Sequence, residues 1–141
     1  DKVTLDDYTE TTIEHIIPQD FSRYWQEQVD SVTNGLVEEE KIEQVIKVLL
    51  NTTGNLTILK NGKNASLGNG PWIEKQERFS TGSYNEIAIS KQDDWTKEKI
   101  AERGTEMLRF LESKISGLRL SDYEIKKILF GEDYIIELLG E

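Results

Sequence analysis

Only two segments of this chain have the composition of β-strands, and a long stretch with helical patterning separates them. Residues 11–17 are rich in β-branched side chains and are stopped by Pro18, which has no N–H to offer a strand ladder. Residues 56–59 form the second segment, which an Asn-Gly turn at 61–62 follows. Because two strands alone are marginally stable, they must pack on helices. The chain is therefore predicted to be α+β and mainly helical.

Apolar residues recur at helical spacing through most of the remaining chain. The predicted helices are residues 21–29, 37–50, 72–79 with a start near 64–66, 95–115, and one or two helices within 121–139. Residues 80–85 are predicted to be a loop. The predicted order is strand, helical insertion, strand, helix and helical C-terminal cap.

The composition is that of a globular domain. The chain has 141 residues, of which 36% are hydrophobic and 31% charged, enough for one domain with a core. No apolar run is long enough to cross a membrane, and the sequence shows no signal-peptide pattern. Without cysteine there is no disulfide or thiolate site, which fits a reducing compartment such as the cytoplasm. The chain begins at Asp1 rather than Met, so we expect a fragment or a processed product of a larger protein.

The net charge of −10 argues against tight, free-standing binding to nucleic acid, because affinity for phosphates comes mainly from Lys and Arg. One stretch is locally basic, with Lys60, Lys63, Lys75 and Arg78. These side chains could contact backbone phosphates, or they could be ordinary surface charges. The sequence leaves both interpretations open.

His15 is the only histidine of the chain, and it follows Glu14 directly. Hydrolysis of a phosphodiester needs a base to take a proton from water and a cation to neutralise the phosphate. A neutral histidine is a base near pH 7, and a carboxylate with an amide oxygen suits Mg²⁺. Neighbouring side chains on a strand point to opposite faces, so Glu14 and His15 can share one site only if the strand bends or ends there.

Each of these residues also has an ordinary structural explanation. The pair Glu14-His15 can be a solvated surface pair. Asn55, at the start of the second strand, can be a turn residue. Asn64 can be a helix N-cap, in which case it could not also freely bind a metal. The motifs favour a catalytic site when they are taken together, not singly.

Residues 14–19 (EHIIPQ) and 54–59 (GNLTIL), followed by Lys63-Asn64, resemble the motifs of HNH, or His-Me finger, endonucleases. More narrowly, they resemble the C-terminal nuclease domain of GmrSD-type modification-dependent restriction enzymes. That family continues with a Lys/aromatic/Ser segment and then Trp, Ile and Arg. This chain carries the same order of side chains in Lys75, Phe79, Ser83, Trp95, Ile100 and Arg103. The resemblance covers roughly residues 10–115.

The resemblance implies a ββα-metal core with a helical insertion between its strands. Residues 1–141 would be a single HNH-type nuclease domain, with the motif core at 11–83 and the helical cap at 95–141. Residues 116–141 fall outside the resemblance and would be a family-specific part of that cap. The domain would be the C-terminal fragment of a larger protein.

The resemblance also implies a role for each site residue. His15 would be the general base, and Glu14 and Asn64 would bind Mg²⁺ or Mn²⁺. Asn55 would brace the loop that aims His15. Many HNH nucleases carry Asp at the Glu14 position, but the longer side chain can still ligate. Ser83 is assigned to nucleic-acid binding together with the four basic residues named above.

The implied function is that of a metal-dependent DNA endonuclease domain in a restriction or phage-defence protein. Its partners would be DNA and an upstream nucleotide-hydrolysing domain, in the same protein or in a partner subunit, with no membrane. Two alternatives stay open from the sequence. One is a non-catalytic HNH-fold module that binds a protein partner, and the other is a nuclease directed at RNA.

Overall fold

The computed structural model describes residues 11–60 and 68–141. The predicted site residues Lys63 and Asn64 lie outside the described residues, as does the side chain of Lys60. Within the described ranges the chain forms two strands and seven α-helices, so the predicted mainly helical α+β class is confirmed. In chain order these are β1 (Thr11–His15), α1 (Gln26–Thr33), α2 (Glu39–Asn51), β2 (Leu56–Lys60), α3 (Trp72–Phe79), α4 (Tyr84–Ser90), α5 (Lys97–Lys114), α6 (Asp122–Phe130) and α7 (Asp133–Leu139).

The two strands pair antiparallel, and two helices lie between them in the sequence as predicted. Glu14 lies opposite Thr57, and both side chains are buried. The preceding pair, Ile13 and Ile58, is exposed, which is the alternation that the strand pleat requires. β1 ends at His15, one residue after Glu14.

The structure differs from the sequence prediction at one strand and two helices. The strand predicted over 11–17 ends at His15, two residues early. The predicted helix at 21–29 begins only at Gln26, because a turn precedes it in which the amide of Trp25 donates to the carbonyl of Phe21. Residues 80–85 were predicted to be a loop, but α4 begins within them at Tyr84. Its start is fixed by a reciprocal capping box at Ser83, a Ser-x-x-Glu signal that the sequence contains.

The chain divides into two compact units. The first takes in the described parts of Asp1–Gln26 and Leu56–Trp95, with the sheet, α3 and α4. All three tryptophans of the chain belong to this unit. The rings of Trp72 and Trp95 stack with centroids 5.7 Å apart, and the buried indole of Trp25 donates to the carbonyl of Gly70.

The second unit takes in Glu27–Asn55 and Thr96–Glu141, with α2 and α5 to α7. A 3₁₀ turn, Thr53–Asn55, packs on α5 within this unit. The last two helices are separated at Gly131, whose φ of 82° is in the left-handed region that glycine adopts readily. The residues outside the resemblance are thus helical and belong to the second unit. No helix within 11–60 and 68–141 is long and apolar enough to span a bilayer.

Candidate functional site at the end of strand β1

The carboxylate of Glu14 is buried near the end of β1. The residue is 4% exposed, and Oε1 lies 3.6 Å from Nζ of Lys75. The other oxygen, Oε2, is buried and has no hydrogen-bond partner. An unsatisfied buried carboxylate oxygen is unusual, because desolvating a charged acceptor is unfavourable unless something binds it.

The partner of Glu14 is a fully buried lysine. Lys75 is 0% exposed, and with Phe79 it forms the buried face of α3. Its ammonium group donates to the backbone carbonyl of His15 at 3.0 Å and to that of Ile16 at 2.8 Å. One side chain of α3 therefore contacts three consecutive residues at the end of β1.

Burial dominates the electrostatics of this pair. It raises the pKa of Glu14 above its ordinary value, and the charge of Lys75 opposes that shift. It lowers the pKa of Lys75, and the charge of Glu14 opposes that shift in turn. The charge of each group thus favours the ionised form of the other.

His15 is the last residue of β1 and lies opposite Leu56 in the strand register. Its side chain is half-buried, whereas the neighbouring Glu14 is buried. The histidine is therefore partly open to solvent at the strand end, and its own backbone carbonyl is bound by Lys75. The predicted base and the predicted metal-ligating carboxylate are thus the last two residues of β1, and that their side chains share one site stays a prediction.

Asn55 is fully buried in the 3₁₀ turn that leads into β2. Its side-chain amide donates to the carbonyl of Leu50 at 2.9 Å, and its backbone N–H donates to Thr52 at 3.0 Å. An enclosed side chain of this kind supports the connection between α2 and β2 and does not reach a substrate directly. That it also aims His15 stays a prediction.

Arg103 contacts the same turn, a role that the sequence analysis did not assign. Its Nη1 donates to the carbonyls of Thr53 and Gly54, at 3.3 and 3.0 Å. Gly54 in turn lies against the backbone of Ile100. The later motif residues Ile100 and Arg103 thus hold the turn that contains the Gly54-Asn55 motif. One indication of this role was present in the sequence, because Ile100 and Arg103 follow the order of motif residues in the resembled family.

The three described side chains that were predicted to bind nucleic acid, those of Lys75, Arg78 and Ser83, have different surroundings. Lys75 is in the interior, where its ammonium group is out of reach of a backbone phosphate, so its predicted surface role disagrees with this placement. Ser83 is the N-cap of α4, where its hydroxyl accepts from the amide of Glu86. Arg78 is exposed on α3 and remains available to a phosphate. Lys75 lies on the same buried face of α3 as Phe79, and the surface role predicted for Lys75 did not take this shared face into account.

A hard cation fits one part of this site. The unpartnered Oε2 of Glu14 is an oxygen acceptor of the type that Mg²⁺ and Mn²⁺ prefer. Its sister oxygen faces Lys75, and carboxylates that bind metals are commonly held in this way by an outer neighbour. Among residues 11–60 and 68–141, no three His, Cys, Asp or Glu side chains form a group that could hold a metal. The other predicted ligand, Asn64, is outside the described ranges.

The second unit contains a separate open cavity of about 530 Å³ between α2 and the α6–α7 junction. Lys47 and Glu132 are among its lining residues. None of the predicted site residues in the described ranges lines it. It therefore gives no support to the chemistry at His15.

Comparison with known proteins supports the resemblance seen in the motifs. Residues 1–110 match the family described as GmrSD restriction endonucleases, C-terminal domain. No curated protein and no solved structure gives a significant match. The match covers most of the chain and includes both motifs, the Lys75 segment and Arg103. This chain belongs to the family of GmrSD restriction endonuclease C-terminal domains.

Proposed function

We propose that this domain is a metal-dependent DNA endonuclease of the HNH type, with His15 as the general base. One observation carries the proposal. A half-buried histidine ends β1 directly beside a buried carboxylate, one oxygen of which has no hydrogen-bond partner. Family membership supports a nuclease role, since the family is one of restriction endonucleases.

The chemistry follows from the two neighbouring side chains. The imidazole of His15 would take the proton from the attacking water, since a neutral histidine is basic enough near pH 7. Glu14 and Asn64 would hold Mg²⁺ or Mn²⁺, which when bound neutralises charge on the scissile phosphate and the leaving oxygen. The ββα-metal arrangement is part of this proposal.

The acidic composition bears on how DNA would be held. A net charge of −10 repels a polyanion, so this domain alone would bind DNA weakly. An upstream nucleotide-hydrolysing domain, or a partner subunit, would supply much of the affinity and raise the local concentration of DNA at His15. Arg78 would contribute a local phosphate contact.

The test is cleavage of supercoiled plasmid with Mg²⁺ or Mn²⁺, alone and with excess EDTA. We expect cation-dependent nicking that is lost in His15→Ala. Lys47→Ala, which changes an exposed side chain of α2, is the control and should cut like the wild type. A labelled RNA of the same sequence, run in parallel, distinguishes an RNA-directed nuclease.

Two results would remove the proposed mechanism. Undiminished cutting in excess EDTA would exclude the cation, and full activity of a folded His15→Ala variant would exclude the base. Because the chain has one histidine, no other imidazole can replace it. Absence of cleavage under every condition would instead favour a binding module.

A further inference from the structure

We propose that Lys75 is a positioning residue whose buried ammonium group fixes the carboxylate of Glu14 and the backbone of His15 relative to each other. The effect of Lys75 on cleavage rests on the function proposed above. The contacts that Lys75 makes do not depend on that function, because they lie within this chain. The role differs from the phosphate contact that the sequence analysis expected for Lys75.

The ammonium group of Lys75 contacts three successive residues, two through hydrogen bonds and one as an ion pair. Two hydrogen bonds go to the backbone carbonyls of His15 and Ile16, at 3.0 and 2.8 Å. The third neighbour is Oε1 of Glu14 at 3.6 Å, an ion-pair distance and not a hydrogen bond. The side chain of Glu14 and the main chain that carries the imidazole therefore share one anchor.

The end of a strand explains why an anchor is needed there. β1 ends at His15, so the carbonyl of the buried Ile16 lies beyond the strand and needs a donor from another element. Lys75 supplies this donor from α3. Without it, the Ile16 carbonyl would lose a buried hydrogen bond, and the adjoining backbone that carries the imidazole would be held less firmly.

A merely space-filling role does not account for a charged residue at this place. Replacing a buried ion pair by apolar side chains of similar volume is often neutral or stabilising, so stability alone does not call for Lys75. A phosphate contact does not account for it either, because the side chain is 0% exposed. Holding the unpartnered oxygen of Glu14 and the backbone of His15 in one arrangement accounts for both the charge and the burial.

The experiment uses the single histidine as a label. Histidine with a ¹³C carbonyl places one labelled carbonyl in the whole chain, and this carbonyl accepts from Lys75. In Lys75→Met, without added cation, we expect its signal to move upfield as the hydrogen bond is lost. Lys91→Met, which changes an exposed lysine after α4, is the matched control and should leave the signal unchanged.

In a kinetic assay, the positioning role predicts a fall in kcat with little change in KM. Loss of a residue that supports a metal-ligating carboxylate typically lowers activity about 10- to 100-fold. We expect a fall of that size in kcat for Lys75→Met, with KM within about twofold of the wild type. A substrate-contacting lysine would instead raise KM.

The other outcomes of these two experiments also support or overturn the positioning role of Lys75. If Lys75→Met does not fold, Glu14→Gln/Lys75→Met removes both charges and is compared with Glu14→Gln, which keeps the lysine. A His15 carbonyl signal that is the same with and without Lys75 in folded variants overturns the proposal, as does a raised KM with unchanged kcat. If the wild type cleaves neither DNA nor RNA, the proposed function fails, while the carbonyl comparison still decides the positioning role.

Discussion

The backbone of Gly54 lies so close to the carbonyl of Ile100 that a Cβ on the glycine would be 1.9 Å from that oxygen. A backbone carbonyl in the first turn of α5 cannot move aside as the tip of a flexible side chain can. The first residue of the Gly54-Asn55 motif is therefore fixed by a close approach of two backbones. Glycine is needed at position 54 because space is short and not because of an unusual backbone conformation, since Gly54 has no positive φ.

Gly54→Ala is accordingly expected to destabilise the protein strongly. Inserting a methyl into a packed site costs typically about 1–3 kcal/mol, and the contact with Ile100 puts this variant at the upper end or beyond. Urea denaturation measures the change. Gly35→Ala is the control, since no atom lies within 4 Å of a Cβ at that position. Equal midpoints for the two variants would contradict the argument.

Trp95→Ala is expected to lose stability because Trp95 is 1% exposed and stacks on Trp72. Truncating a buried aromatic residue of this kind costs about 3–5 kcal/mol. Thermal denaturation of the variant should show a large fall in Tm. The exposed Tyr84→Ala serves for comparison, and a Tm for Trp95→Ala equal to that of Tyr84→Ala would show that the stack contributes little.

Glu14→Ala is expected to destabilise the fold as well as the site. The substitution leaves the buried ammonium of Lys75 without its carboxylate, and breaking a buried pair on one side costs about 3–5 kcal/mol. Glu14→Gln should lose less, since its amide oxygen can still accept from Lys75. Urea titrations of these two variants and of Glu14→Ala/Lys75→Met test this. A double variant no more stable than Glu14→Ala would contradict it.

Glu112 links stability to pH. Its carboxylate accepts from the amide of Leu120 at 2.6 Å, and this bond, with Arg109, lowers the pKa below its ordinary value of 4.5. A depressed pKa contributes stability above the unfolded value, and that contribution is lost as the pH falls through the folded value. The Tm deficit of Glu112→Gln should therefore be present at pH 7 and vanish in acid. The exposed Glu137→Gln is the control; a deficit that is independent of pH would contradict the assignment.

Arg78→Glu is expected to weaken DNA binding without altering the fold, because Arg78 is exposed on α3. Loss of one phosphate contact should reduce the slope of log affinity against log salt by about 0.9. Fluorescence anisotropy of a labelled duplex at several salt concentrations measures it. Lys47→Glu makes the same change of charge on α2, and an equal effect from both variants would point to net charge instead of a local contact.

Apolar residues at helical spacing and β-branched residues in the strands made most of the fold predictable. The strand Leu56–Lys60 and the helix Lys97–Lys114 begin and end within two residues of the predicted limits, since burial and local preference agree there. The helix expected at 21–29 begins only at Gln26, after the turn that the hydrogen bond from Trp25 to Phe21 closes, and apolar spacing does not distinguish such a turn from a first helical turn. Helix α4 was missed although its capping box could have been read from Ser83.

The candidate site was predictable only in part, because some of its contacts depend on how the helices pack. Glu14 and His15 are adjacent in sequence, so their common place at one strand end follows from where the strand stops. Lys75 is 59 residues from Ile16 along the chain, and a lysine is usually expected at the surface. Its burial depends on which face of α3 turns inward, and the contacts of Arg103 with Gly54 likewise depend on helix packing.

The uneven distribution of tryptophan gives the two compact units different optical signals. Trp25, Trp72 and Trp95 all belong to the unit with the sheet, so indole emission reports the unfolding of that unit alone. Far-ultraviolet circular dichroism draws on helices of both units, including the long α5. Melting curves that coincide by both probes would indicate one cooperative transition, and curves that separate would indicate two. If the curves separate, a free energy of unfolding taken from emission belongs to the unit that carries Glu14, His15 and Lys75.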